Sequence, residues 1–112
     1  MRPILFAGLV IALCGCSSQK QIVLGVMPAV STLVTVSSAR PGAPITVKGT
    51  MVEKCPVAGC WFMLRDKSGV IRVDTKNAGF VVLDVPLNTP VKVSGTLKTS
   101  GEWMIAATGM SY

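Results

Sequence analysis

The stretch I-T-V-K-G-T-M-V-E-K-C-P-V-A-G-C-W-F-M-L-R-D-K-S-G-V-I-R-V-D, Ile45 to Asp74, decides the fold. Ile45, Val47, Gly49 and Met51 alternate with Thr46, Lys48 and Thr50, Trp61 to Arg65 returns after a short interruption, and Val70 to Asp74 follows the turn Asp66-Lys67-Ser68-Gly69. A period of two belongs to a strand with one face in a core and the other in water. The residues at the breaks are turn formers: glycine accepts positive φ, proline presets φ, and aspartate bonds its own backbone. Three consecutive antiparallel strands follow, the first two forming a hairpin whose tip is C-P-V-A-G-C, Cys55 to Cys60, with Trp61 directly after it.

Further strands are expected on both sides. Downstream, 77–88 has no clear period. Val91, Val93, Gly95 and Leu97 then alternate with Lys92, Ser94, Thr96 and Lys98, and Glu102 to Tyr112 closes the chain with Trp103, Ile105 and Ala107 on one parity. Upstream, Arg40-Pro41-Gly42-Ala43-Pro44 is a turn, Thr32 to Val36 alternates, and Ile22 to Val36 is too apolar for a free linker. Five strands, glycines where a strand must coil (Gly49, Gly95), and a long excursion after the third make the pattern of an all-β, five-stranded, OB-fold-like Greek-key barrel over residues 30–112. Ile22 to Val36 is open to two readings, part of the barrel or a cover for it.

Residues 1–15 carry Arg2, an apolar run from Ile4 to Leu13 and small residues before a cysteine, a secretory signal peptide too short to span a bilayer. Leu13-Cys14-Gly15-Cys16 resembles the lipobox of bacterial lipoproteins, which implies lipid attachment at Cys16 and makes 16–29 a lipid anchor and tether. Acyl chains hold such a domain on a membrane without a protein span. The same resemblance, with Ser17 after the anchor, implies an outer-membrane location facing the periplasm, where thiols tend to be oxidised.

The chain has no histidine, which removes Ser-His-Asp and Cys-His nucleophile systems and any imidazole-bound zinc or haem. Its five acidic residues are dispersed, against a glycosidase pair. No enzymatic activity is expected. The net charge of +6 is also dispersed and aromatics are few, so nucleic acid is not an expected partner, whereas acidic lipid headgroups or lipopolysaccharide beside the anchor suit the charge.

Cys55 and Cys60 are the candidate site. If they face each other across a four-residue loop, Lys54 pairs with Trp61, Val52 with Met63 and Met51 with Leu64, and the two Cα atoms lie about 5 Å apart, within reach of a disulfide. So short a loop would give about 2 kcal/mol. A cuprous copper site is the alternative, the two thiolates joined by a thioether from Met51 or Met63, with Met104 and Met110 as further donors. Thiol-disulfide exchange is a weaker third reading. In that register Trp61, Val52 and Met63 form an outward apolar patch bordered by Lys48 and Lys54, a candidate surface for an envelope protein partner. The competing reading lets Ile22 to Val36 fold over that face. No cofactor is required unless copper is bound.

Val47, Gly49, Cys55, Gly59, Cys60, Trp61, Asp66, Gly69, Phe80 and Val91-Lys92-Val93-Ser94-Gly95 match the signature of a family of small bacterial exported OB-fold domains. Gly79 to Leu87 departs from it, with G-F-V-V-L-D-V-P-L in place of a Phe-Pro pattern. What the resemblance implies is the barrel rather than an activity.

Overall fold

A computed structural model describes residues 21–29 and 31–112. The barrel strands are β3 (Ile45–Lys54), β4 (Trp61–Asp66), β5 (Gly69–Asp74), β6 (Pro90–Lys98) and β7 (Met104–Ser111), preceded by two short ones, β1 (Val23–Gly25) and β2 (Thr32–Val34). β3 pairs with β4 and with β6, β4 with β5, β5 with β7, and β7 with β6, which closes a ring of five strands. Only β5 and β7 run parallel within that ring. The expected five-stranded OB-fold barrel is therefore present, each strand within two residues of where the alternation put it. One parity of every strand points inward, and Val47, Met51, Phe62, Leu64, Val73 and Val93 are fully buried there.

Ile22 to Val36 supplies strands that extend the sheet. β1 pairs antiparallel with β7, Val23 opposite Ser111, and β2 pairs parallel with β3, Thr32 opposite Ile45. Each pairs with the edge of its partner opposite to the one β6 holds, so it covers an edge that would otherwise be unpaired. This corrects the expected boundary between tether and domain: the sheet begins at Val23, inside 16–29. The expected signal peptide and the expected lipid-attachment residue Cys16 lie outside the described residues.

The β3–β4 register departs from the expected one. Met51 is opposite Leu64, but Glu53 is opposite Met63 and Lys54 opposite Phe62, so Val52 is a β-bulge. Two residues then face one, and everything toward the tip slips by one position. Lys54, expected beside Trp61 on the outer face, instead shares its side with buried Phe62 and reaches three carbonyl oxygens, of Val85 at 2.5 Å, Leu83 at 2.8 Å and Val82 at 3.4 Å. Those carbonyls belong to the aperiodic stretch after β5, whose Val82 and Val85 plug the core.

At the other end, Asp66 binds two segments together. One carboxylate oxygen accepts from Ser68 N–H, Ser68 O–H and Gly69 N–H, closing the β4–β5 turn; the other accepts from Val36 N–H at 2.7 Å. Burial by itself pushes this carboxyl up, and those donors outweigh it and hold it below the ordinary carboxylate range.

Gly95 lies where β6 changes register against β7, and a Cβ there would enter the Ala106 carbonyl oxygen. Gly95→Ala is expected to lower stability by about 3 kcal/mol, the upper end for overpacking because backbone blocks the way, as read from urea unfolding midpoints. Gly69→Ala, whose added carbon meets only Val36 Cγ1 at 3.5 Å, should change the midpoint little.

Candidate functional site

The hairpin tip is docked on its neighbours. Cys55 N–H donates to Trp61 O at 3.1 Å, continuing the shifted register, and Gly59 N–H donates to Cys55 O at 3.2 Å, closing the loop as a single helical-type turn. Gly59 O accepts from Val82 N–H at 2.8 Å and Cys60 O from Thr75 N–H at 2.9 Å. Glycine is needed at 59 because φ is +62° and a side chain would strike Leu83 Cγ at 2.7 Å. The direct Cys55–Cys60 opposition expected from the spacing is thus replaced: Cys55 faces Trp61, and Cys60 sits in the loop.

Both thiols are half-buried and unbridged. Cys55 Sγ accepts the N–H of Ala58 at 3.5 Å. The amide of Ala58, then those of Val57 and Gly59 and, more weakly, Cys60, converge on the sulfur against a small opposing effect of burial, and draw its pKa from 9.0 down to about 7. The loop acts as a nest of backbone dipoles that favours the thiolate. The spacing C-x4-C does not encode the Gly59-to-Cys55 turn that brings these amides round the sulfur.

The methionines divide. Met51 and Met110 are fully buried in the barrel, while Met63 and Met104 are half-buried. Of the two thioethers expected beside the thiols, only Met63 lies on the outer face of the hairpin. Among the described residues no three of Cys, Asp or Glu gather as a metal-ligand cluster.

Trp61 and Met63 do share the outer face of β4, with Phe62 and Leu64 inward, as the alternation required. Their surroundings are not the expected ones. Opposite Met63 stand Glu53 on β3 and Arg72 on β5, and opposite Trp61 stands Asp74. The patch is bordered by charges of both signs instead of lysines, and Val52, half-buried in the bulge, is not in register with Met63. The Arg72 guanidinium lies over the Trp61 ring, 5.0 Å from its centroid, a cation–π contact that half-buries the indole. Arg72 Nε is buried without a hydrogen-bond partner. Arg72 was not among the expected site residues, although the alternation of Ile71 and Val73 with Arg72 and Asp74 put it on this face.

Alkylation of Cys55 by a neutral reagent, followed by peptide mapping of the reduced protein, should rise with a midpoint near pH 7. In urea-unfolded chain the rise should come near pH 9. A depressed folded pKa means thiolate above pH 7 in the fold and its loss as pH falls through that value; coincident folded and unfolded profiles would remove the amide nest as the cause.

No curated protein matches the chain. Among solved structures the fold is similar to one described as the hypothetical protein ygiW from E. coli, with 23% identity, a TM-score of 0.50, and coverage of 72% of this chain and 87% of that one. A family model described as Bacterial OB fold (BOF) protein matches residues 15–106, which include the hairpin tip and β3 to β6. With most of its length matched and the closed five-stranded ring to go with it, the chain belongs to the bacterial OB fold family.

Proposed function

We propose that this protein is a lipid-anchored module of the cell envelope, attached to the outer membrane through Cys16, facing the periplasm, and working by binding a protein partner rather than by catalysis. The observation that carries the reading is the Arg72 guanidinium stacked on Trp61 with its Nε buried and unpaired. An aromatic–arginine pair held rigid on a strand, with an unsatisfied donor, is the kind of centre that dominates protein interfaces. Glu53 and Asp74 beside it supply the charges that would orient a partner. The lipobox resemblance supports the anchor.

At the hairpin tip Cys55 and Cys60 are proposed to form a structural disulfide after export, each sulfur losing a proton and the pair giving two electrons to a thiol oxidant of that compartment. Their place in one docked turn, with Cys55 poised as a thiolate, supports this. The same thiolate favours a second reading, cuprous copper held by Cys55 and Cys60 with Met63. Nucleic acid has no part in either.

Trp61→Ser and Arg72→Ala should each abolish a specific envelope co-purification while leaving the unfolding midpoint within about 1 kcal/mol of wild type, since both residues are on the outer face. Unchanged co-purification in both variants would end the interface reading. Thiols that resist alkylation until reductant is added support the disulfide; stoichiometric cuprous binding by the reduced protein against a competing chelator supports copper.

A further inference from the structure

On the side of the barrel where the described chain begins, two lysines stand directly opposite each other. Lys48 on β3 and Lys92 on β6 are register partners, and the next pair along the same face is Thr46 with Ser94. Like charges in direct cross-strand opposition destabilise a sheet unless something neutralises them. The grooves on either side of the pair, about 300 and 330 Å³, share both lysines and are lined by no Asp or Glu side chain. Asp66, which lines a further groove with Lys48, has its two oxygens engaged by Val36, Ser68 and Gly69.

What surrounds the lysines is hydroxyl-rich and unusually buried for an outer face. Ser94 is 1% exposed, Ser111 5% and Thr46 6%. Ser31, Thr46 and Ser94 form a chain of hydroxyl hydrogen bonds, Thr46 to Ser94 at 2.7 Å, and Ser111, the β7 partner of Lys92, lines the first groove with Tyr112. Two ammonium groups with hydroxyl donors around them match the tetrahedral oxygens of a phosphate.

We infer that the Lys48–Lys92 groove is an anion site for a phosphate group, and that the phosphate it meets is the headgroup of an anionic lipid. The choice of source rests on the proposed anchor: Gln21 lines the groove and is five residues from Cys16, at most about 17 Å of extended chain. A lipidated Cys16 keeps the lysines within about two Debye lengths of the headgroups at physiological salt.

The test uses the full-length protein, 15N-labelled and purified in a neutral detergent, titrated with inorganic phosphate and separately with dihexanoyl phosphatidylglycerol. Amide resonances of Lys48, Lys92 and Ser111 should shift saturably with both, and the double variant Lys48→Gln, Lys92→Gln should bind each at least about tenfold more weakly. Shifts with phosphate alone would sustain the anion site and overturn the lipid as its source. No shift with either ligand, or shifts equal in the double variant, would overturn the site. Intact mass of the same sample reads acylation of Cys16, so a missing anchor is told apart from a missing site.

Discussion

Everything in this fold depends on the close passage of β6 over β7 at Gly95. A five-stranded ring has so little circumference that its strands must coil sharply, and here the coil is taken up where backbone meets the Ala106 carbonyl with no room for a side chain. Gly49 does the same for β3, where a Cβ would come within 2.6 Å of the Arg65 carbonyl oxygen. Once the ring closes, β3 is bonded on both edges, to β6 along Ile45 to Thr50 and to β4 from Thr50 onward. The remaining open edges, of β3 at Ile45 to Val47 and of β7 at Gly109 to Ser111, are taken by β2 and β1. Coiling at two glycines thus leaves no barrel strand with a long open edge.

The bulge at Val52 is a second, local solution with chemical consequences. Slipping the register by one turns Lys54 inward, where its ammonium gathers the carbonyls of the segment that plugs the barrel. That segment in turn fixes Gly59 through Val82. The loop is thereby held in the one turn that points successive amides at the Cys55 sulfur. The amides of that turn draw the pKa of the Cys55 thiol down to about 7.

How much of this could be read from residues alone follows from what each pattern encodes. Alternation is a statement about faces, and it placed Phe62 and Leu64 inside, Trp61 and Met63 outside, and all five barrel strands. Register across a hairpin is encoded elsewhere, in loop geometry and bulges, and nothing in E-K-C-P-V-A-G-C says that Val52 is extra. The predicted Cys55–Cys60 opposition and the predicted lysine border around Trp61 both failed at that one residue. Ile22 to Val36 was recognisably too apolar for a tether, but which edge it would cover depends on strands far away in sequence. The Arg72–Trp61 stack depends on the β4–β5 register, which the D-K-S-G turn does set, but a lone arginine alternating with valine and isoleucine carries no signal that separates a stacked guanidinium from a solvated one.

The arrangement has a direction. Lys48 and Lys92 flank the groove beside Gln21, whereas Cys55, just past the end of β3, lies seven residues further on, about 23 Å at the rise of a strand. A chain held through its N-terminal end would meet a membrane with the lysine end of β3 and carry the cysteine tip away from it. Net positive charge spread over the surface would not favour one orientation over another, whereas on the proposed anchor a cross-strand lysine pair would, because attraction to acidic headgroups falls off within a Debye length. On the proposed anchor, the opposed lysines, costly to the sheet taken alone, would orient the domain and leave the face that includes Trp61, Arg72 and the tip clear of the lipid surface.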